Sequence, residues 1–176
     1  MTQELRTERL RLRPVCKADV DAIHATLQDI EIARWLSRVP YPYSRDDAAW
    51  FANEVEAGRL PAYAVIDDEG FAGVIAIDPT LGYWFARDRW GRGYATEAGR
   101  ALLDAHFLGS EAEAVEAGYY DDNAGSGRVL AKLGFESAGP QMLPSMVLGH
   151  DVPGQKTRLT RARWSALRDQ ERREAA

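Results

Sequence analysis

Phe85-Ala86-Arg87-Asp88-Arg89-Trp90-Gly91-Arg92-Gly93-Tyr94-Ala95-Thr96-Glu97-Ala98 runs from a strand-like apolar stretch, through two closely spaced glycines, into a helix that opens on small residues. Glycine lets the backbone come close to a ligand, and successive N–H groups in such a turn can converge on one anion. The unpaired N–H groups and positive dipole end of the following helix add to that attraction. A pyrophosphate is the natural occupant. Two glycines alone describe many bare turns, so the rest of the chain has to narrow the choice. A Walker loop would close on Gly-Lys-Ser/Thr, which is absent. A dinucleotide fingerprint starting at Gly91 would need a third small residue where Thr96 stands, and an opening βαβ unit.

The segments leading into the loop are not βαβ. Ala62 to Ile66, Phe71 to Ile77 and Leu81 to Phe85 are short apolar, β-branched or aromatic runs. Asp67-Asp68-Glu69-Gly70 and Asp78-Pro79-Thr80 separate them with turn chemistry. Connections this short predict an antiparallel meander, because a parallel crossover needs about a dozen residues. Upstream, Arg9 to Arg13 alternates leucine with arginine and reads as a strand ended by Pro14. A helix follows, with Asp19 as N-cap and Val20, Ile23, Ala25 and Leu27 on its apolar face. A short helix is expected over Ile32 to Leu36. Val39-Pro40-Tyr41-Pro42-Tyr43 cannot be helical. Ser44 opens the next helix with Asp47 as capping-box acid, and Gly58 stops it. Downstream, helices are expected from about Thr96 to Leu108 and from Gly125 to Leu133, the latter stopped by Gly134. Strands are expected at Val115 to Tyr120, around Met142 to Leu148 and at Lys156 to Thr160. The order β-α-α-α-β-β-β-α-β-α-β-β is that of an α+β domain.

The 176 residues suffice for one domain with a real core, residues 1–176, with the core at about 8–160 and a tail at 161–176. The arginines of the tail are interleaved with acids and predict a solvated, partly helical end. A net charge of −5 argues against a nucleic-acid partner. Cys16 is the single cysteine, read as a small buried residue, and His24, His106 and His150 are scattered, so no metal site is expected. No apolar run approaches the roughly 20 residues of a membrane span. Without an apolar N-terminal stretch to mark secretion, the expected location is cytoplasmic.

Trp90-Gly91-Arg92-Gly93-Tyr94-Ala95-Thr96-Glu97-Ala98 resembles the Gln/Arg-x-x-Gly-x-Gly/Ala loop of the GNAT N-acetyltransferases, with Trp90 at the Gln/Arg position. That exception is typical of the branch similar to ribosomal-protein N-terminal (alanine) acetyltransferases. Asn123-Ala124-Gly125-Ser126-Gly127-Arg128-Val129-Leu130-Ala131-Lys132-Leu133-Gly134-Phe135 resembles the same branch's Asn-x-x-Ser-x-Arg-Val-Leu-x-Lys-Leu-Gly-Phe segment, and Thr7-Glu8-Arg9-Leu10-Arg11-Leu12-Arg13 its opening strand. The resemblance implies a GNAT fold: a mixed, mostly antiparallel twisted sheet of about seven strands flanked by helices.

It also implies chemistry: acetyl-CoA as cosubstrate, no metal, and direct attack of a primary amine on the thioester without an acetyl-enzyme. Trp84 and Phe85 would offer backbone groups to the pantetheine arm. Gly91, Arg92, Gly93, Tyr94, Ala95 and Thr96, beside Trp90, would hold the pyrophosphate, Arg92 being equally readable as a solvated arginine. Asn123 would bond the pantetheine, while also serving as an N-cap. Many members carry a tyrosine acid seven residues after the asparagine; here that position is Leu130. Ser126 would take its place near the sulfur, or be a helix serine without a role. Thiol pKa values near 8.5 make thiolate a tolerable leaving group.

The resemblance places Trp35, Tyr41 and Tyr43 over the acceptor groove, although aromatics beside prolines are also ordinary packing. An α-amine with pKa of about 7.7–8.0 needs only about 1 kcal/mol to lose its proton at pH 7, against roughly 4–5 kcal/mol for lysine. A modest base therefore suffices, and Asp78, Glu136 and His150 are candidates. The acceptor stays open between a peptide N-terminus and a small-molecule amine. A catalytically idle acyl-CoA-binding module is the alternative outside enzymes. The chain itself would be a monomer or homodimer.

Overall fold

The structure, a computed structural model, describes residues 4–174. β1 (Leu5–Arg6) and β2 (Arg11–Pro14) form a hairpin whose turn is closed by Thr7 N–H donating to Leu10 O at 2.9 Å. The arginine–leucine alternation does what a half-buried strand requires: Leu12 is fully buried and its neighbours are not. The paired strand starts two residues later than expected because Arg9 belongs to the turn.

Three helices follow: α1 (Val20–Leu27), α2 (Ile30–Ala33) and α3 (Arg45–Glu56). Asp19 precedes α1 but does not cap it. Its carboxylate turns back to accept from Cys16 N (2.9 Å) and from both terminal nitrogens of Arg13 (2.7 Å each). Burial works against the charge, but the Arg13 guanidinium and the Cys16 N–H outweigh it and hold this carboxyl below the usual range. Cys16 is half-buried at the start of that turn. α2 lies upstream of the expected 32–36 span because Asp29 caps it, accepting from Glu31 N at 2.9 Å. α3 opens as expected, with reciprocal bonds between Ser44 and Asp47 (2.9 and 3.0 Å).

β3 (Ala62–Asp67), β4 (Gly70–Ile77) and β5 (Leu81–Phe85) form the antiparallel meander. After them come α4 (Tyr94–Gly109), β6 (Ala114–Tyr120), α5 (Ala124–Lys132), β7 (Glu136–Ser145), β8 (His150–Thr160) and α6 (Arg161–Glu174). The strands run β1-β2-β3-β4-β5 in one sheet and β6-β8-β7 in another, all ladders antiparallel. The fold is α+β, with β1 added to the seven expected strands. Alternation along β3 sends Tyr63 and Val65 into a core shared with α4 and α5, and Ala62 and Ala64 into a second core under α1 and α3.

At the C-terminal end one expectation needs correction, and the expected solvated helical tail proves helical over its described length, with no buried residue. The span 142–148 is not a strand of its own: a long hairpin turns inside it, between Ser145 and His150, with Gly149 at φ 72° and its N–H on Ser145 O (2.8 Å). Pro140, Pro144 and Pro153 lie within the paired strands, so their missing N–H groups read as breaks in sequence. The tail is helical through Glu174 and tied down. Trp164 stacks on Phe107 (centroids 5.0 Å apart) and its indole N–H donates to Asp104 at 2.8 Å. Arg161 donates to the carbonyls of Phe107, Ser110 and Ala112, closing the open C-terminal end of α4.

Candidate functional site

β5 and β6 are joined by a parallel bridge at Thr80–Glu116, and beyond it they belong to different sheets. Both line a cleft of about 840 Å³ that also takes in the N-terminal ends of α4 and α5. Along the β5 edge, Trp84 and Phe85 face this space without a ladder partner from β6. The Trp90 indole donates to Phe85 O at 2.9 Å and so pins the loop back to the end of that strand.

Gly91 and Gly93 have φ of 74° and 82°, a left-handed backbone that an L side chain would strain. α4 consequently begins at Tyr94, two residues earlier than expected, with Gly93 at the cap. The first helical N–H to find a partner on the loop is that of Glu97, on Gly93 O at 3.1 Å. The N–H groups of Tyr94, Ala95 and Thr96 precede it and have no intrahelical acceptor, and all three residues line the cleft. Open amides, a helix N-terminus and an unpaired strand edge in one cleft suit a diphosphate attached to an amide-bearing arm.

Arg92 does not line the cleft. Its guanidinium pairs with Glu69 at 2.7 Å, which raises its pKa. Arg89 anchors the loop from below, buried with its Nε 2.7 Å from Asp67 Oδ2. The two atoms are off-axis for a hydrogen bond, so charge alone couples them. Asp67, Asp68 and Glu69 come close enough together to hold a cation, but Arg89 already occupies the position between Asp67 and Glu69.

The contacts that hold the loop come from residues far away in the chain and were not expected from its motifs. Glu97 accepts from Thr7 Oγ1 (2.5 Å), Arg9 N (3.0 Å), Arg9 Nε (2.8 Å) and Arg9 Nη2 (2.6 Å), while Arg9 Nη1 donates to Arg92 O (3.0 Å). Burial would raise the Glu97 carboxyl, but these donors outweigh it and hold it below the usual range.

At the far end, Asn123 caps α5 through its Oδ1, which accepts from Ser126 N at 3.0 Å. Both residues line the cleft. The Ser126 hydroxyl lies 2.9 Å from that of Tyr83 on β5, a residue not picked out from sequence. Burial pushes the Tyr83 hydroxyl up to about 12, partly offset by the bond to Ser126.

Of the aromatics expected over an acceptor groove, Trp35 lines the cleft with the Arg34 guanidinium 4.6 Å from its ring. Tyr41 and Tyr43 do not. Tyr43 is buried in the second core, and the Tyr41 hydroxyl donates outside the cleft to Gln28 O (3.3 Å). Asp78, Glu136 and His150 are also elsewhere: Asp78 is in the β4–β5 turn, Glu136 pairs with Arg163 (3.1 Å), and His150 is exposed beside the hairpin turn. Among the described residues the carboxylates that line the cleft are Glu116 and Asp122. Glu116 sits at the seam, 2.8 Å from Lys156 Nζ.

A family model described as an acetyltransferase (GNAT) domain matches residues 9–136. The chain belongs to the GNAT family. It is therefore an acyltransferase, and the seam between β5 and β6 is part of a GNAT fold. This GNAT chain is 27% identical over 150 residues to p20 of Bacillus licheniformis, an uncharacterized N-acetyltransferase, covering 78% of this chain and 84% of p20. A GNAT-family acetyltransferase structure from Bacillus anthracis superposes with a TM-score of 0.78 at 21% identity, over 90% of this chain and 98% of that one. RimL, a ribosomal L7/L12 α-N-protein acetyltransferase in complex with coenzyme A, superposes at 0.76 with 18% identity, over 90% of this chain and 98% of its own. These two share the fold with this GNAT chain. No helix among its described residues is long and apolar enough to cross a membrane.

Proposed function

We propose that the cleft binds acetyl-CoA and that the protein transfers the acetyl group to a primary amine, with an N-terminal α-amine as the acceptor its chemistry favours. The observation that carries this reading is the convergence, in one cleft, of the open amides of Tyr94, Ala95 and Thr96 with the unpaired edge of β5 and the Ser126 hydroxyl. The amides and the left-handed glycines would take the pyrophosphate. The backbone of Trp84 and Phe85 would bond the pantetheine amides like an added strand, and Asn123 would contribute its side-chain N–H. Bound there, acetyl-CoA supplies an activated acetyl group as a thioester.

The residues then have separate tasks. Thr7, Arg9 and Glu97 hold the glycine loop in its binding shape. Trp35 is the aromatic placed to cover the acceptor. Glu116, reached directly or through water, is the carboxylate placed to receive the proton that the amine loses. An α-amine asks for only about 1 kcal/mol of deprotonation at pH 7, which a half-buried, lysine-paired carboxylate can support. RimL, whose substrate is a protein α-amine, shares this fold, which is consistent with the same acceptor class here. Because acetyl-CoA is its donor, we place the reaction in the cytoplasm.

The test is calorimetric titration of the protein and of Gly93→Trp with acetyl-CoA, followed by thiol release in the presence of unblocked peptides, Nα-acetylated lysine peptides and small amines. Micromolar binding lost in Gly93→Trp, with release driven by unblocked peptides, supports the proposal. Binding with release only for small amines would transfer the acceptor to that class. Binding with no release for any amine would leave an acyl-CoA-binding module, and no binding to the folded protein would refute the reading.

A further inference from the structure

Tyr83 stands out among the half-buried polar groups lining the cleft because the roles assigned so far do not use it. It lies on β5 with its ring against Phe85 (centroids 6.5 Å apart) and packs on the core under α4 and α5. Its hydroxyl crosses to the first turn of α5, 2.9 Å from Ser126 Oγ and 3.4 Å from Ser126 O. Both residues line the cleft. The phenolic O–H lies within reach of two oxygens of Ser126, and the nearer of these acceptors is the hydroxyl oxygen.

The serine is fixed from the other side. Asn123 Oδ1 pins its N–H at 3.0 Å. A helical serine commonly donates back to the carbonyl four residues earlier, but among the described residues the Ser126 hydroxyl has only Tyr83 as partner. If Tyr83 donates, the serine oxygen is occupied as an acceptor and its own hydrogen is left to point into the cleft.

We propose that Tyr83 is a positioning residue: it donates to Ser126 Oγ and thereby aims the serine hydrogen at the sulfur of coenzyme A. This rests on the reading of the cleft as the coenzyme site. In the transfer, the amine nitrogen bonds the acetyl carbon, the C–S bond breaks, and its electron pair stays on sulfur. The surplus proton leaves from the amine nitrogen, and Tyr83 and Ser126 keep theirs. Tyr83 is assigned no proton transfer, because burial pushes its hydroxyl up to about 12 and makes giving its proton to a thiolate, whose conjugate acid lies near 8.5, an uphill step. Its contribution is a fixed hydrogen bond where negative charge develops.

The measurement needs no acceptor. Coenzyme A is bound to wild type, Ser126→Ala, Tyr83→Phe and the double variant, and the bound thiol is titrated through the ultraviolet absorbance of its thiolate. Calorimetry reports binding separately. Ser126→Ala should raise the thiol pKa by about one unit, as loss of a hydrogen bond to a charged group implies. Tyr83→Phe should raise it by roughly half as much, and adding it to Ser126→Ala should change nothing further, because the two act through one bond. Phenylalanine keeps the ring and its packing. Tyr83→3-fluorotyrosine, a stronger donor, should lower the thiol pKa. Equal thiol pKa values in wild type and Tyr83→Phe, or additive effects in the double variant, would overturn the proposal while leaving the coenzyme site intact. Failure of the folded wild type to bind coenzyme A would overturn the site itself.

Discussion

Gly73 is the position where a single methyl group should cost both stability and coenzyme binding. It pairs with Phe85 across β4 and β5, and a Cβ built there would lie 2.3 Å from Trp84 O and 2.8 Å from Phe85 Cα. Both are backbone atoms, so no side-chain rotation relieves the clash. Carbon–oxygen contacts need about 3.3 Å, so Gly73→Ala must push the end of β5 outward by about 1 Å. That displacement weakens two or three ladder bonds, each contributing about 0.5–1.5 kcal/mol, and adds overpacking strain of about 1–3 kcal/mol. Alanine returns about 0.4–1 kcal/mol by restricting the unfolded chain. With the ladder bonds weakened by about half rather than broken, the central net loss is about 2–4 kcal/mol. At roughly 2–4 °C per kcal/mol for a protein of this size, Tm should fall by roughly 5–15 °C. The displaced segment is also the cleft edge formed by Trp84 and Phe85, so acetyl-CoA should bind at least about tenfold more weakly, the equivalent of one lost hydrogen bond. Thermal unfolding and calorimetry at a temperature where both proteins are folded measure the two effects. Gly109→Ala is the control, since a Cβ there meets nothing within 4 Å. A Gly73→Ala protein that melts within about 1 °C of wild type would refute the reasoning about β5.

Asp19→Asn tests the buried pair with Arg13. A carboxyl held below its unfolded pKa of about 3.9 stabilises the fold above that value and loses its contribution as pH falls through the lower folded value. Urea midpoints from pH 6 down to about pH 2 should therefore fall more steeply in wild type than in the variant, and parallel profiles would refute the pairing. Trp164→Ala should cost about 2 kcal/mol, less than a fully buried tryptophan because Trp164 is only half-buried. It should leave acetyl-CoA affinity unchanged, since Trp164 is remote from the cleft lining, and a weakened affinity would mean that α6 supports the site.

What could be read from sequence depended on how far a signal had to reach. The Ser44–Asp47 cap and the turns between β3, β4 and β5 are decided within four or five residues, and the structure has them where expected. The β7–β8 hairpin was obscured because Pro140, Pro144 and Pro153 carry a break signal that this pairing tolerates. Tyr43 and Trp35 illustrate a second limit. Both are aromatics near prolines, and nothing local separates the one that fills a core from the one that lines the cleft.

The contacts that shape the site are nonlocal, and for that reason they looked like unrelated motifs. Thr7 and Arg9 meet Glu97 about 90 residues on, and Tyr83 meets Ser126 43 residues on. The opening Thr7-Glu8-Arg9 stretch and the Thr96-Glu97-Ala98 end of the glycine loop each look like a separate family signature. In the folded chain they are two halves of one clamp, since Glu97 binds Arg9 while Arg9 binds the carbonyl of Arg92. A loop with two left-handed glycines has much conformational freedom to lose when it closes on a ligand. A clamp that fixes the loop beforehand reduces that loss, so substitutions at Arg9, although outside the cleft, should weaken coenzyme binding more than substitutions at Arg92, whose guanidinium is directed to Glu69.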